Sequence, residues 1–247
     1  MDRMIYVAMT GAREAMRAQS VVAHNIANAS TTGFREVRRA VDSAPVAGPG
    51  YGTRVNPVSL PDSWNPTTGT MLHTGRDLDI AIQGQGWIAV QDANGNEAYT
   101  RAGNLRVNTA GLLETASGEL VKGSGGPISI PAFQQMFIGN DGQVSIVPQG
   151  QSPDALAVVD RIKLVNPPAK ELVPSDNGLF RMADDSEAPA DANVTIASGE
   201  LEASNVNTAS ALVEMIELSR AYEMQVRAMH SADENDAATA RLMRSGG

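Results

Sequence analysis

Residues Asn25–Phe34 read NIANASTTGF. An apolar-striped segment runs into this stretch. Then come asparagines, Ser30, two threonines, Gly33 and a lone Phe34, none of them a strong helix former. The choice of residues predicts that a helix ends here. Asn28, Ser30 and Thr31 carry short polar side chains that bond the last free carbonyls or their own backbone. Gly33 permits the left-handed turn that closes a helix, and Phe34 is an apolar anchor for the outgoing chain. Asn25, Asn28, Thr31, Gly33 and Phe34 are therefore read as a helix-exit motif.

Upstream, from about Asp2 to Ala29, apolar residues recur at Ile5, Ala8, Ala12, Ala15, Val22, Ile26 and Ala29, a seven-residue pattern with one polar gap at Gln19. Met9, Met16 and Ala23 widen the stripe, and Asp2 is the expected N-cap. Such a helix is about 40 Å long. The far end of the chain repeats the theme from about Asn207 to Met243. Its seam is Leu212, Met215, Ser219, Tyr222, Val226 and Met229, thickened by Val213 and Ile216. It turns acidic at Asp233 and Asp236, then continues through Ala240 and Met243; this end is expected to face water. Asn205 or Asn207 is the expected cap, Gly246–Gly247 the stop, and the length about 50–55 Å.

The middle has a different texture. Short alternating runs such as DLDIAIQG, GWIAVQD, EAYTRAG, LRVNTAG, ISIPA and VSIVP are separated by turn signals at Asn94-Gly95, Thr109-Ala110-Gly111, Ser117-Gly118, Asn140-Asp141-Gly142 and Asn177-Gly178. No helical pattern separates the runs, which excludes a βαβ fold. The expected class is α+β: heptad-patterned helices at both chain ends pair as a coiled-coil-like layer, and an antiparallel β domain of about ten strands is inserted between them. The expected divisions are 1–34 for the first helix, 35–76 for an extended connector with one strand near Thr53–Leu60, 77–204 for the β domain and 205–247 for the last helix. Two paired helices hide only the facing parts of their stripes, so further copies or relatives are expected to cover the rest. The assembly residues are Ile5, Ala12, Met16, Val22, Ile26, Leu212, Met215, Ile216, Tyr222, Val226 and Met229. Arg220, Arg227, Arg241 and Arg244 add exposed ion pairs worth at most roughly 1 kcal/mol each.

Composition narrows the chemistry. The 247 residues carry a net charge of −9, contain no cysteine and are only 4% aromatic. The charge argues against nucleic acid and anionic membranes. Missing thiols exclude disulfides and thiolate metal sites, and no apolar run is long enough for a membrane span. The opening MDRMIYVAMTGAREAM is not a secretory signal, because Arg13, Glu14 and Arg17 interrupt it. GQGW at Gly84–Trp87 lacks the rest of any nucleotide motif and reads as a turn. His24, His73 and His230 have no ligand spacing, although the two in the helices are placed to approach each other. Asp77 and Asp79 alternate as on a strand and read as a polar strand entry, with Asp77 capping a turn and Arg76 neutralising it. NDGQV reads as a hairpin turn, ADDSEAPADAN as a solvated loop, and no G-x-S-x-G elbow is present. The expectation is no catalytic, metal or cofactor site: not an enzyme.

Three stretches in order, AHNIANASTTGF (Ala23–Phe34), DLDIAIQGQGWIAV with AYTRAGNLRVNTAGLLETASG (Asp77–Gly118), and SGELEASNVNTASALVEMIELSRAYEMQVRAM (Ser198–Met229), resemble the axial rod and hook proteins of the bacterial flagellum. The resemblance covers nearly the whole chain. The length, the opening MDRMIYVAMTGA and Trp87 resemble the F-type, proximal rod branch, with the distal rod branch as alternative. The resemblance implies a basal-body rod subunit in the periplasm, exported unfolded by the flagellar type III apparatus without a cleaved signal. It implies partners in other rod proteins and copies of itself, terminal helices lining an inner tube, an outer β layer, and torque passed from motor to hook. A reading of another class is a secreted glycan-binding β module on a helical stalk, with Trp64, Trp87, Tyr51 and Tyr99 as sugar platforms.

Overall fold

The structure, a computed structural model, describes residues 4–45, 55–61, 63–152 and 155–245, without the side chains of Asp176, Leu242, Met243 and Ser245. Asp2, Tyr51, Thr53 and Gly246–Gly247 lie outside the described residues. The chain is α+β: helix α1 (Met4–Ala27), a strand-rich middle, and helix α2 (Thr208–Ser245). It divides into two compact units. A helical unit takes Met1–Ala27, Val37–Ser63 and Asn207–Gly247, and a β unit takes Asn28–Glu36 and Trp64–Val206.

In the helical unit, α1 and α2 pack against each other along part of their stripes. On α1 the buried apolar residues are Ala8, Ala12 and Val22, with Ile5, Ala15 and Ile26 half-buried. On α2 the inward rows are Ala211, Leu218, Gln225 and Ala232 beside Met215, Tyr222, Met229 and Asp236. The sequence reading has the second of these rows, but pairs it with Leu212 and Asp233, which are exposed. Both choices keep the heptad spacing. Small residues are what let the helix backbones approach: a Cβ on Gly11 would come within 3.0 Å of the Gln225 side chain. Asn207 caps α2, its Oδ1 accepting from the Ala209 and Ser210 N–H groups at 3.1 Å each.

Within residues 35–76 the single expected strand becomes several. Val41–Pro45 and Val55–Ser59 form a full antiparallel ladder, from Val41 opposite Ser59 to Pro45 opposite Val55. Glu14, buried on α1, accepts hydrogen bonds from Ser59 and from Arg17, the latter at 2.9 Å. The Ser59 hydroxyl, with Arg17 in support, holds the Glu14 carboxyl below its ordinary value of 4.5. A carboxylate with a depressed pKa stabilises the fold above its unfolded pKa, so this anchor is lost as pH falls below about 4.5.

The β unit is built on an eight-stranded antiparallel sheet. Its order is Leu172–Pro174, Phe180–Met182, Glu97–Thr100, Trp87–Gln91, Leu120–Val121, Leu113–Thr115 and Leu105–Val107, with Leu164–Val165 also paired to Trp87–Gln91. A three-stranded sheet joins Phe133–Ile138, Gln143–Pro148 and Ala157–Arg161. Its alternation works as expected for a half-buried strand: Met136, Ile138, Val144 and Ile146 point inward, Gln135 and Phe137 outward. Ile80–Gln83 pairs with Thr195–Ser198, and Met71–His73 with Glu200–Glu202. One core gathers Ile80, Ile88, Leu105, Leu113, Ile128, Ile146, Ile162 and Ile196, and a second gathers Trp87, Tyr99, Phe180 and Leu172. The predicted turns close where the sequence placed them, with Gly95, Gly111, Gly118 and Gly142 donating to Asp92, Asn108, Thr115 and Gly139 carbonyls.

Other local readings change. Strands are shorter and more numerous than ten, because register shifts and turns interrupt them. Arg76 neutralises Asp79 at 3.0 Å, not Asp77; Asp79 is buried and bridged to Asn104, while Asp77 lies exposed in the turn before it. ADDSEAPADAN is only partly solvated. Ala188 is buried and its N–H donates to Tyr99 Oη at 2.8 Å, and Glu187 holds Lys122 at 2.9 Å. His24 and His230 are both exposed.

Candidate functional site

The helix-exit motif falls on a division between units. Asn25, buried near the end of α1, makes a two-way bond to the backbone of Val37: Nδ2 donates to its carbonyl at 2.7 Å, and its N–H donates to Oδ1 at 3.0 Å. The carboxamide thus imitates a strand partner and fixes the returning chain on the helix. Asn28 and Thr31 form the turn that follows, the Thr31 N–H donating to the Asn28 carbonyl at 3.1 Å and its hydroxyl to Asn28 Oδ1 at 3.2 Å.

Gly33 has φ of 68°, and a Cβ there would stand 2.2 Å from the carbonyl carbon of Arg101. Both the left-handed backbone and the close approach of another chain segment exclude any side chain. Its N–H donates to the Glu202 carbonyl at 2.7 Å. Phe34 is buried, packed over Gly178 within the β unit. It anchors the outgoing chain there.

One residue further lies a feature that the sequence reading missed. Arg35 and Arg101 grip the two oxygens of Glu202 at 2.8 and 2.9 Å, and all three side chains are buried. Arg35 also donates to the Thr67 carbonyl, Arg101 to the Gly84 carbonyl at 2.7 Å, and the Gly69 N–H to Glu202 Oε1 at 2.8 Å. Burial, with Arg101 adding repulsion, pushes the Arg35 guanidinium down to about 10 despite the attraction of Glu202. Beside the triad, Asn205 closes the same junction. Its Oδ1 accepts from the Glu36 N–H at 2.7 Å, and its Nδ2 donates to the Asn65 and Thr67 carbonyls at 3.1 and 2.8 Å. With the Asn205 side chain so occupied, Asn207 caps α2. Segments 33–36, 65–69 and 199–205 are thereby locked together inside the β unit.

In the sequence Arg35 directly follows TTGF, Arg101 stands in AYTRAGN and Glu202 in SGELEASNVN. The only available signal was a charge in or beside each of the three quoted stretches, and it does not say that they meet.

The predicted assembly residues divide into two groups. Ala12 and Val22 are buried, and Ile5, Ile26, Met215, Tyr222, Val226 and Met229 half-buried. Met16, Leu212 and Ile216 are exposed by 56, 51 and 55%, and Tyr6, Met9, Val213 and Met224 are exposed with them. A helix pair has one facing seam, and these residues lie off it. Among the described residues no helix is long and apolar enough to cross a membrane. Among them no three His, Asp or Glu side chains gather to hold a metal ion. Among the described residues no sugar platform is formed: Trp87 and Tyr99 are core residues, and Trp64 packs edge-on against Trp87 and Phe180 at 5.4 and 5.1 Å.

Terminal striped helices around an inserted antiparallel β unit define an axial-type structural subunit, and comparison with known proteins gives the same class. Residues 5–35 match the flagella basal body rod protein family, 81–146 the flagellar hook protein FlgE/F/G D1 domain, and 197–242 the flagellar basal body rod FlgEFG protein C-terminal family. The chain is 40% identical to flagellar basal-body rod protein FlgF of Salmonella typhimurium over 98% of its length and 99% of the relative's. It is 39% identical to FlgF of Escherichia coli, covering 95% of the chain and 96% of the relative. Against flagellar basal-body rod protein FlgG of Bacillus subtilis the identity is 31%, over 95 and 96%. The chain belongs to the flagellar basal-body rod protein family, on its F-type branch.

Proposed function

We propose that this chain is a structural, non-enzymatic subunit of the bacterial flagellar basal-body rod. It assembles through its terminal helices with copies of itself and with related rod proteins. In this reading it enters as an unfolded substrate of the flagellar export apparatus, takes its place in the proximal rod, and carries torque across the periplasm. The supporting observation is the apolar surface that the helix pair leaves open: Leu212, Val213, Ile216 and Met224 on α2, Tyr6, Met9 and Met16 on α1. Burying such residues against neighbours contributes roughly 1.5–3 kcal/mol per side chain. A contact between copies through this surface builds a filament where its rotation does not close.

The test is complementation. A Salmonella strain lacking its FlgF should regain swimming when this chain is expressed, and the chain should co-purify with basal bodies. The paired substitutions Leu212→Asp and Ile216→Asp should abolish both while leaving the purified chain folded. Swimming restored in full by that double variant would overturn the assignment of the helix surface. Basal bodies free of the chain would overturn the rod assignment itself.

A further inference from the structure

A cleft of about 310 Å³ opens in the β unit above the buried triad. Arg35 and Arg101 form part of its lining, with Trp64, Trp87, Pro66 and Pro167 among its walls. Among the described residues no Asp or Glu lines it. Two guanidiniums share the single carboxylate of Glu202, which leaves one positive charge uncompensated beneath the cleft. A buried unpaired charge costs several kcal/mol unless an opposite charge or hydrogen bonds meet it. Hydrogen bonding is also incomplete: Nε of Arg35 and Nε of Arg101 are both buried without a protein partner. Each guanidinium carries five N–H donors, and the contacts to Glu202, Thr67 and Gly84 occupy fewer than half of them. Unsatisfied buried donors in a native fold mark sites for an ion or polar group.

We propose that this cleft is a carboxylate-binding site, taking one carboxylate, either free or carried on an acidic side chain of another protein chain. The charge selects the ligand. One uncompensated positive charge matches a carboxylate and not a phosphate dianion. Guanidinium forks favour a planar, two-oxygen acceptor. Indole and proline walls suit the methylene stem of such a ligand. Arg101 is itself held over the Trp87 ring, with its Cζ 5.5 Å from the centroid, so the cation is fixed before the ligand arrives.

The site carries its own reporter, because Trp64 and Trp87 are the only tryptophans in the chain. Intrinsic fluorescence of the full-length chain is followed while sodium acetate replaces sodium chloride at constant ionic strength and neutral pH. The expected result is a saturable change with acetate and with the blocked peptide acetyl-Ala-Glu-Ala-amide, and none with its Gln counterpart. Arg101→Gln should weaken the response about tenfold or more. Should that variant fail to fold, Ala169→Glu on the exposed rim is read instead: its tethered carboxylate should fill the cleft and abolish the acetate response. Tighter binding of the peptide than of acetate assigns the site to a partner's acidic side chain, and equal binding assigns it to free carboxylates. An identical response to chloride, a stronger one to phosphate, or an acetate response unchanged in Ala169→Glu overturns the proposal.

Discussion

In the β unit many of the fully buried side chains are large: Ile80, Ile88, Leu105, Leu113, Ile128, Ile146, Ile162 and Ile196. In the helical unit the buried apolar residues are Ala8, Ala12, Val22, Ala211 and Ala232; larger side chains such as Ile5, Leu218 and Tyr222 are half-buried, and Tyr6, Met9, Met16, Leu212, Ile216 and Met224 stand exposed. One unit completes its core within a single chain. The other buries mainly small residues in the pair and leaves several of its large ones uncovered. Helix stability rests mainly on tertiary packing of the apolar face, so the helical unit is the part whose order depends most on neighbours. A chain built in this way keeps one unit packed by itself and leaves the other open to neighbours.

The comparison can be broken by substitution, with urea unfolding as the measurement. The largest effect is expected at Glu202→Gln, which leaves two buried guanidiniums facing a neutral amide and should destabilise the β unit by about 3–5 kcal/mol. A smaller loss would show that water already reaches the triad. Ile88→Ala, at the centre of the large sheet, should cost about 2–5 kcal/mol. Asn25→Ala leaves the Val37 N–H and carbonyl without their partner and should cost roughly 1–3 kcal/mol, read best as faster proteolysis of residues 37–63. Leu212→Ala should change the isolated chain by under about 0.5 kcal/mol yet impair swimming. A loss of several kcal/mol at Leu212 in the monomer would erase the contrast between the units.

Periodicity made the two helices and their approximate ends legible, and turn residues made the hairpins legible. Both signals are local. What stayed hidden depends on which of two equivalent rows a helix turns inward, and on partners far apart in the chain. Ala211 loses to Leu212 in any reading that ranks residues by hydrophobicity. Close packing instead favours the smaller side chains where Gly11 meets Gln225. The end of the helix near Asn25 was legible, but Gly33 does not close it: α1 stops at Ala27, and the left-handed Gly33 lies beyond the following turn, fitted against Arg101. The bond from Asn25 to Val37 was not legible either. Arg35, Arg101 and Glu202 are single charges amid ordinary loops and strands, and nothing local marks them as mutual partners. Glu187 and Ala188 were hidden for the same reason, since their anchors Lys122 and Tyr99 lie far upstream.

The way the chain crosses between the units bears on chimeras. It passes at 27/28, 36/37, 63/64 and 206/207, so grafting a relative's helical unit means replacing three separate segments. Cutting at those four joints keeps Arg35, Arg101 and Glu202 in one parent. A simpler exchange of the first 36 residues would import Gly33 and Arg35 from one parent against Arg101 and Glu202 from the other. Such a hybrid is viable only where both parents share the same glycine and the same arrangement of charges.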